Sequence, residues 1–493
     1  MPSHGAGLER IVEEAYRLVE PSREDRARVD SMAGIYLKRV KDAALEYSRE
    51  VSDVVLVGSY AKDTWLAESV DIDVFVKMRP DVDEERFEHV AMEIGLRALH
   101  DAGPYLRYAQ HPYVEAVIDG IRVNVVPCYD VEMGRWRSAA DRSPYHTEYM
   151  LEALDDAKRR EVRLLKRFMK VIGVYGAEIA VQGFSGYACE VLILRYGSFI
   201  GTLEHASRWR DGEVITLTQV GQVGGGGMVD DSHRRNGYRG SPIVILDPID
   251  TSRNLGSAIS YESVGRFILS ARNFLRRPSI AYFTYDGRVA RAPMIDGGKA
   301  MNMVMVHFRH SPRSEDVVWG QLRSSMDAIA RQLSINGFRV LRYACYTDGS
   351  NAFISFMLDS LSIPRMVLKR GPKVFDAKNS DRFIAKNREK GVLLWVSDED
   401  GRLLALVERR FHHARDMLNH IMGRALESSG MSRGLIDDVR SNGFRVYTWD
   451  DVKGYMDGTY SIEGSAVASA VRKIVEYMVV NDRFAFADEP DTC

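Results

Sequence analysis

Apolar positions recur at helical spacing from residue 8 to about residue 49, broken once at Pro21-Ser22, which predicts two amphipathic helices in succession. The pattern then changes. Residues 51–57 (VSDVVLV) form a short apolar run that ends at Gly58-Ser59, and 71–78 (DIDVFVKM) form a second one. Both have the length and β-branched content of strands, and strands alternating with helix continue to about residue 149. Beyond it, Val162, Leu165, Met169 and Ile172 mark the apolar face of a helix, and Arg159, Arg163, Lys166 and Lys170 mark a basic stripe beside it. Strand-like runs at 300–309, 338–346 and 352–358 come next, then a Lys/Arg-rich region at 369–390, a helix at about 410–426, a strand at 443–449 and a final helix at 466–479.

The chemistry concentrates in 57–78, VGSYAKDTWLAESVDIDVFVKM. In a strand, side chains at i and i+2 face the same side about 6–7 Å apart, so Asp71 and Asp73 project together while Ile72 and Val74 point into a core. Two hard oxygen ligands on one face suit Mg2+. The Gly58-Ser59 turn offers close backbone approach, free N–H groups and a hydroxyl for phosphate oxygens. A phosphate site beside paired carboxylates is what metal-assisted phosphoryl or nucleotidyl transfer requires. A second glycine-rich stretch, 221–228 followed by DDSHRRNGYRG (230–240), lacks the Gly-x-x-x-x-Gly-Lys-Ser/Thr order of a P-loop and reads as a mobile insertion.

Composition narrows the class without choosing it. The 493 residues predict three or four domains, and 45% apolar content supplies ample core. No stretch approaches the roughly 18 apolar residues of a membrane span, and Glu and Arg interrupt the first twenty positions, so neither a membrane partner nor a signal peptide is expected and the location expected is cytoplasmic. Cys128, Cys189, Cys345 and Cys493 form no Cys-x-x-Cys pair, which argues against a zinc site or a disulfide framework. A net charge of −2 provides no overall basic signature, so any nucleic-acid contact must come from local patches. The stripe from Arg159 to Lys170 is one candidate. The other runs through KRGPK (369–373) to Lys390 with Lys378, Arg382, Lys386 and Arg388, followed by Arg409 and Arg410.

Gly58-Ser59 followed by Asp71-Ile72-Asp73 resembles the signature of the polymerase-β-like nucleotidyltransferase superfamily. GSYAKDTWL (58–66), VNVVPCYDV (123–131), DRSPYH (141–146), LLKRFMKVIGVYGAEIAVQGFSGYACEVLI (164–193) and DPIDTSRN (247–254) together resemble the archaeal, class I CCA-adding enzymes, in order along most of the chain. The resemblance implies a multidomain α+β protein: a polymerase-β-like nucleotidyltransferase catalytic head (1–150), a helical neck binding nucleotide and primer end (151–285), an α/β body (286–365 and 441–493) and a tail gripping the tRNA arms (366–440). It implies template-independent addition and repair of the 3′-terminal CCA of tRNA from CTP and ATP, with Mg2+ and a homodimeric state. Carried over position by position, Asp71, Asp73 and Asn124 fall at the catalytic and metal-binding places. Ser59, Lys62, His146, Lys166 and Tyr175 fall at places that bind ATP or CTP, with Ser59, Lys62 and Lys166 at the phosphates and Tyr175 near sugar or phosphate. His111 and Arg253 resemble active-site and base- or phosphate-contacting positions; the planar donor fork of Arg suits either.

One departure stands out. The family pattern in the third strand is Val-Asp-Val-Val-Pro-Cys-Tyr, and here Asn124 replaces the Asp. Asn offers a neutral carbonyl oxygen to a metal but neither accepts a proton nor adds negative charge. Asp130 is six residues on, about 20 Å along a strand, and both it and Asp119 need the strand to bend in order to substitute. Two other readings stand beside CCA addition: a related RNA nucleotidyltransferase such as a poly(A) polymerase, which would use the same metal motif, and a weak or inactive tRNA-binding homologue, which rests on Asn124 alone. Loss of a general base typically costs roughly 10² to 10⁴ in rate. Asn124→Asp is accordingly expected to raise the single-turnover rate of nucleotide transfer; an unchanged rate means that the position does not need a carboxylate.

Overall fold

The runs at 51–57 and 71–78 become β1 (Val51–Val57) and β2 (Asp71–Met78), the first strands of a five-stranded sheet with β3 (Tyr105–Tyr108), β4 (Pro112–Ile118) and β5 (Ile121–Tyr129). The strand order is β1-β2-β5-β4-β3, with β2 and β5 parallel and the other pairs antiparallel. Ile72, Val74, Val76, Val114, Ala116, Val123 and Val125 turn to one face and are buried there in a common core. Asp71, Asp73, Glu115, Arg122 and Asn124 occupy alternate positions and so turn to the other face. The computed structural model describes residues 3–108, 110–217, 240–284, 297–388, 393–456, 465–479 and 484; the glycine-rich stretch expected as a mobile insertion lies outside them apart from Gly240.

The predicted N-terminal helices are α1 (Ser3–Val19) and α2 (Arg23–Ala44). They separate where Ser22 caps α2, its hydroxyl accepting from the Asp25 N–H at 3.0 Å while the Asp25 carboxylate accepts from the Ser22 N–H at 3.2 Å. A single turn, α3 (Gly58–Ala61), follows β1, and α4 (Glu84–Ala98) follows β2. Both α2 and α4 cover the apolar face of the sheet. A helical layer continues with α5 (Arg142–Ala153), α6 (Asp156–Val171), α7 (Gly186–Tyr196) and α8 (Phe199–Ala206), a short parallel pair β6 (Glu213–Ile215) and β7 (Ile243–Ile245), and α9 (Tyr261–Arg276). It has its own core, in which Phe168, Phe184, Phe199, Phe267, Phe274, Tyr282 and Phe283 are buried.

Two details differ from the sequence reading of the domain ends. Ala15 and Val19 of α1 are buried in the helical core and not in that of the sheet, because the apolar stripe of α1 packs on α6. Phe484, expected in the last domain, is buried in the helical core as well, its carbonyl accepting from Asn273 Nδ2 at 2.8 Å. Residues Met1–Ala290 and Asp482–Cys493 thus cluster as one unit, and Arg291–Asn481 as another.

In the second unit, β8 (Met303–Arg309), β9 (Val340–Thr347), β10 (Asn351–Leu358) and β14 (Arg445–Thr448) form an antiparallel sheet in the order β14-β8-β10-β9, realising three predicted strands and the late one. The KRGPK sequence lies in β11 (Met366–Lys373), which with β12 (Leu393–Val396) and β13 (Arg402–Glu408) makes a three-stranded sheet against the helix Ala377–Arg388. Lys369, Arg370, Lys373, Lys378, Arg382, Lys386 and Arg388 are all exposed there, so this basic region keeps the surface position expected of it.

Packing of α4 on the sheet depends on Gly95, where a Cβ atom would stand 2.5 Å from Val114 Cγ2 and 2.7 Å from Val114 Cβ. Gly95→Ala gains about 1 kcal/mol of helix propensity and loses about 1–3 kcal/mol to overpacking against a β-branched neighbour. The expected balance is a net loss of stability, measured as a lower urea midpoint; an unchanged or higher midpoint contradicts the close approach.

Candidate active site

A cleft of about 290 Å³ opens beside the polar face of the five-stranded sheet, lined by Gly58, Lys62, Asp73, Tyr113, Asn124, His146, Thr147 and Tyr187 among others. The chain turns from β1 into α3 at Gly58, whose φ of +79° is in the left-handed region. A Cβ there would lie 2.3 Å from Asp73 Oδ2, so only glycine lets the backbone pass this close to the carboxylate. The Gly58 N–H donates to Thr147 Oγ1 at 3.3 Å, which ties the turn to α5. Ser59 does not line the cleft, although it adjoins Gly58 at the start of α3.

The parallel register of β2 and β5 sets Asp71 opposite Arg122 and Asp73 opposite Asn124. The Arg122 guanidinium donates to both oxygens of Asp71, at 2.8 and 2.9 Å. Asn124 Nδ2 donates to Asp73 Oδ1 at 2.9 Å, while Asn124 Oδ1 is buried without a hydrogen-bond partner. Loss of solvent around the Asp73 carboxyl pushes its pKa up to about 6, against the pull of the Asn124 amide. A desolvated carboxylate beside an orphaned carbonyl oxygen is a donor set that fits a hard divalent cation, and Asp71, despite its Arg122 partner, retains lone pairs for one. Asp130 instead pairs with Lys77 at 2.8 Å, and β5 stays in register with β2 through Tyr129, so the strand does not bend to bring Asp130 to Asn124.

The opposite wall carries positive charge. Lys62 Nζ donates to Glu190 Oε2 at 2.6 Å and lies 5.3 Å from the centroid of the Tyr187 ring. Lys166 Nζ donates to Glu190 Oε1 at 3.2 Å and to the carbonyl and hydroxyl of Thr64, both at 2.9 Å; Thr64 in turn donates to Glu190 at 2.7 Å. Burial alone raises the Glu190 carboxyl, but the two ammonium groups hold it below the usual carboxylate range. Burial lowers the pKa of Lys166 despite Glu190. Lys166 is thus enclosed behind Lys62 and does not line the cleft. The basic stripe is broken for the same reason: Arg163 is buried with Glu20 at 3.0 Å, because α6 is packed on more than its apolar side. Tyr175 also points inward; a Cβ at Gly186 would stand 3.0 Å from its hydroxyl, and burial pushes its pKa up.

His146 lies within α5 and not at its cap. Its Nε2 meets Asp247 Oδ2 at 2.8 Å and its ring lies 3.9 Å from that of Tyr187. Burial holds the imidazole below its ordinary pKa although Asp247 favours the cation. Arg253 Nη1 reaches the same Asp247 oxygen at 3.3 Å, so two expected site residues converge on a buried carboxylate that sequence reasoning did not single out. Glu190 was missed likewise; its only sequence signal is a lone acid in the apolar helix GYACEVLILRY. His111 stands apart from the cleft lining, its Nδ1 3.0 Å from Glu88 and 3.8 Å from Glu84.

Three family models match the chain: a nucleotidyltransferase domain over residues 37–146, the second domain of tRNA nucleotidyltransferase over 160–284, and the C-terminal domain of CCA-adding enzyme over 299–447. The CCA-adding enzyme of Methanocaldococcus jannaschii is 31% identical over 455 residues, covering 88% of this chain and 97% of its own length. That of Saccharolobus shibatae is 36% identical over 405 residues, covering 82% and 90%. That of Pyrobaculum islandicum is 35% identical over 425 residues, covering 85% and 94%.

Removing the carboxylate shared by two buried lysines leaves uncompensated charge, which typically costs about 3–5 kcal/mol. Glu190→Gln is expected to lower the urea midpoint correspondingly. A loss below about 1 kcal/mol means that the lysines find other partners.

Proposed function

The chain belongs to the archaeal class of CCA-adding enzymes, and from that premise we propose how its cleft carries out template-independent addition and repair of the tRNA 3′-CCA from CTP and ATP. The observation that carries the reading is one cleft with Asp73 and Asn124 on one wall and Lys62 on the other. Asp71, Asp73 and the free Oδ1 of Asn124 hold a divalent cation, which we take to be Mg2+ and which supplies Lewis-acid polarisation of phosphoryl oxygens when bound. Lys62 meets the triphosphate, with Ser59 and the Gly58 backbone at its edge. Lys166 acts through Glu190, keeping Lys62 in place, and Tyr175 closes the wall behind them. His146 and Arg253, both fixed by Asp247, face the nucleotide; the partly exposed Arg253 guanidinium pairs with its base or phosphate.

The tRNA 3′-hydroxyl oxygen attacks the α-phosphorus and gives its proton to solvent, since Asn124 accepts none; a new P–O bond forms, and the bond to the β-phosphate bridge breaks so that pyrophosphate leaves. In this reading residues 1–150 are the catalytic head, 151–285 the neck, which Phe484 joins, 286–365 with 441–481 the body and 366–440 the tail. The exposed cations between Lys369 and Arg388 bind the tRNA arms by their phosphates, which positions RNA without reading its sequence. A homodimer acting in the cytoplasm completes the proposal, on the support of the family resemblance. No helix among the described residues is long and apolar enough to cross a membrane.

The test is Mg2+-dependent incorporation of labelled CMP and AMP into tRNA that ends before CCA. Ordered addition of two C and one A is expected, weakening as salt rises. Repeated AMP addition without CTP points to a poly(A) polymerase; tRNA binding without incorporation, in both the native chain and Asn124→Asp, points to an inactive homologue.

A further inference from the structure

Glu115 is opposite Asn124 in the antiparallel pairing of β4 and β5, as Asp73 is opposite Asn124 in the parallel pairing of β2 and β5. The three side chains therefore stand in one row across three adjacent strands, on the face that borders the cleft. Directly opposed residues have Cβ atoms about 4.5–5.5 Å apart, so a cation at the Asn124 carbonyl stands one strand from Glu115 on one side and one strand from Asp73 on the other. Glu115 is buried, with a side chain only 4% exposed. Keeping a carboxylate there is costly unless its charge is matched. Its charge is matched only in part: the neutral hydroxyl of Tyr105 donates to it, Arg107 Nη2, on a side chain one-third exposed, approaches to 3.4 Å, and the Arg122 guanidinium, which also feels its charge, spends its hydrogen bonds on Asp71. Asp71, by contrast, is gripped at both oxygens by Arg122. Without Glu115 the row would present one unneutralised carboxylate, Asp73, to a cation.

We propose that Glu115 supplies, from the neighbouring strand, the negative charge that Asn124 removes, and so sustains divalent-cation affinity at Asp73 and the Asn124 carbonyl. The inference rests on the reading of this cleft as a cation site. Glu115 is a positioning residue: it acts on the cation through its field, and its carboxylate remains the partner of Tyr105 and Arg107. An Asp at position 124 would face Glu115 directly and the two carboxylates would repel each other.

The test is Mn2+ binding, followed by the paramagnetic resonance of the free ion, for the native chain, Glu115→Gln, Asn124→Asp and the double variant, each checked for folding by circular dichroism and thermal melting. Glu115→Gln is expected to weaken Mn2+ binding about tenfold in the native background and less than about threefold in the Asn124→Asp background. Arg107→Gln, which removes the opposing charge at a partly exposed position, is expected to tighten it, and keeps the proposal testable if Glu115→Gln misfolds. Equal losses in both backgrounds, no loss in either, or no tightening in Arg107→Gln overturns the proposal. CMP incorporation separates the two readings: if it persists while Glu115→Gln leaves Mn2+ affinity unchanged, only the role of Glu115 falls; if the native chain binds no Mn2+ and transfers no nucleotide, the cation site falls with it.

Discussion

The sharing of Glu190 between Lys62 and Lys166 is the interaction on which the cleft depends. Lys62 and Thr64 follow the turn after β1, Lys166 comes from α6, and Glu190 comes from α7, so a single carboxylate joins the sheet to the helical layer. Two ammonium groups against one carboxylate leave a formal excess of one positive charge, and the member of the set that reaches the cleft is Lys62. A buried excess charge is tolerated where an anion is to be bound. The knot therefore serves architecture and chemistry at once: it holds two layers together and leaves a cation aimed at the space between them.

The facing wall works by register. Parallel pairing of β2 and β5 places each acidic residue of β2 against a different neighbour, Asp71 against a cation and Asp73 against a neutral amide. Two chemically identical side chains two residues apart thus acquire different properties, one neutralised and the other desolvated. The apolar residues between and beside them, Ile72 and Val74, fix this arrangement, because slipping the strand by one residue would expose them and bury both acids.

Much of this was legible in the sequence wherever local periodicity governs. The alternation in 71–78 placed Asp71 and Asp73 on one face, and Pro21-Ser22 separated the first two helices, as the Ser22 cap does. The departure at Asn124, by contrast, came from the family pattern and not from periodicity. Helical spacing also put Arg163 and Lys166 on a common face, but it does not report how much of a helix is covered; both are buried on α6. Asp247 and Glu190 escaped attention because each is completed by a partner a hundred or more residues away, His146 for one and Lys62 for the other. Periodicity carries no record of such pairings.

The docking of α1 on α6 bears on the order in which the chain acquires its structure. Tyr16 donates to Glu161, 145 residues further on, and Ala15 and Val19 are buried in a core composed mainly of later residues. At about 5–20 residues per second, roughly 7–30 s of synthesis separate the two partners. During that interval α2, the five strands and α4 can close their own core, whereas α1 has nowhere to bury its apolar stripe. A helix made before α6 is thus among the later ones to find its place, and it stays an exposed amphipathic segment until α6 has been made.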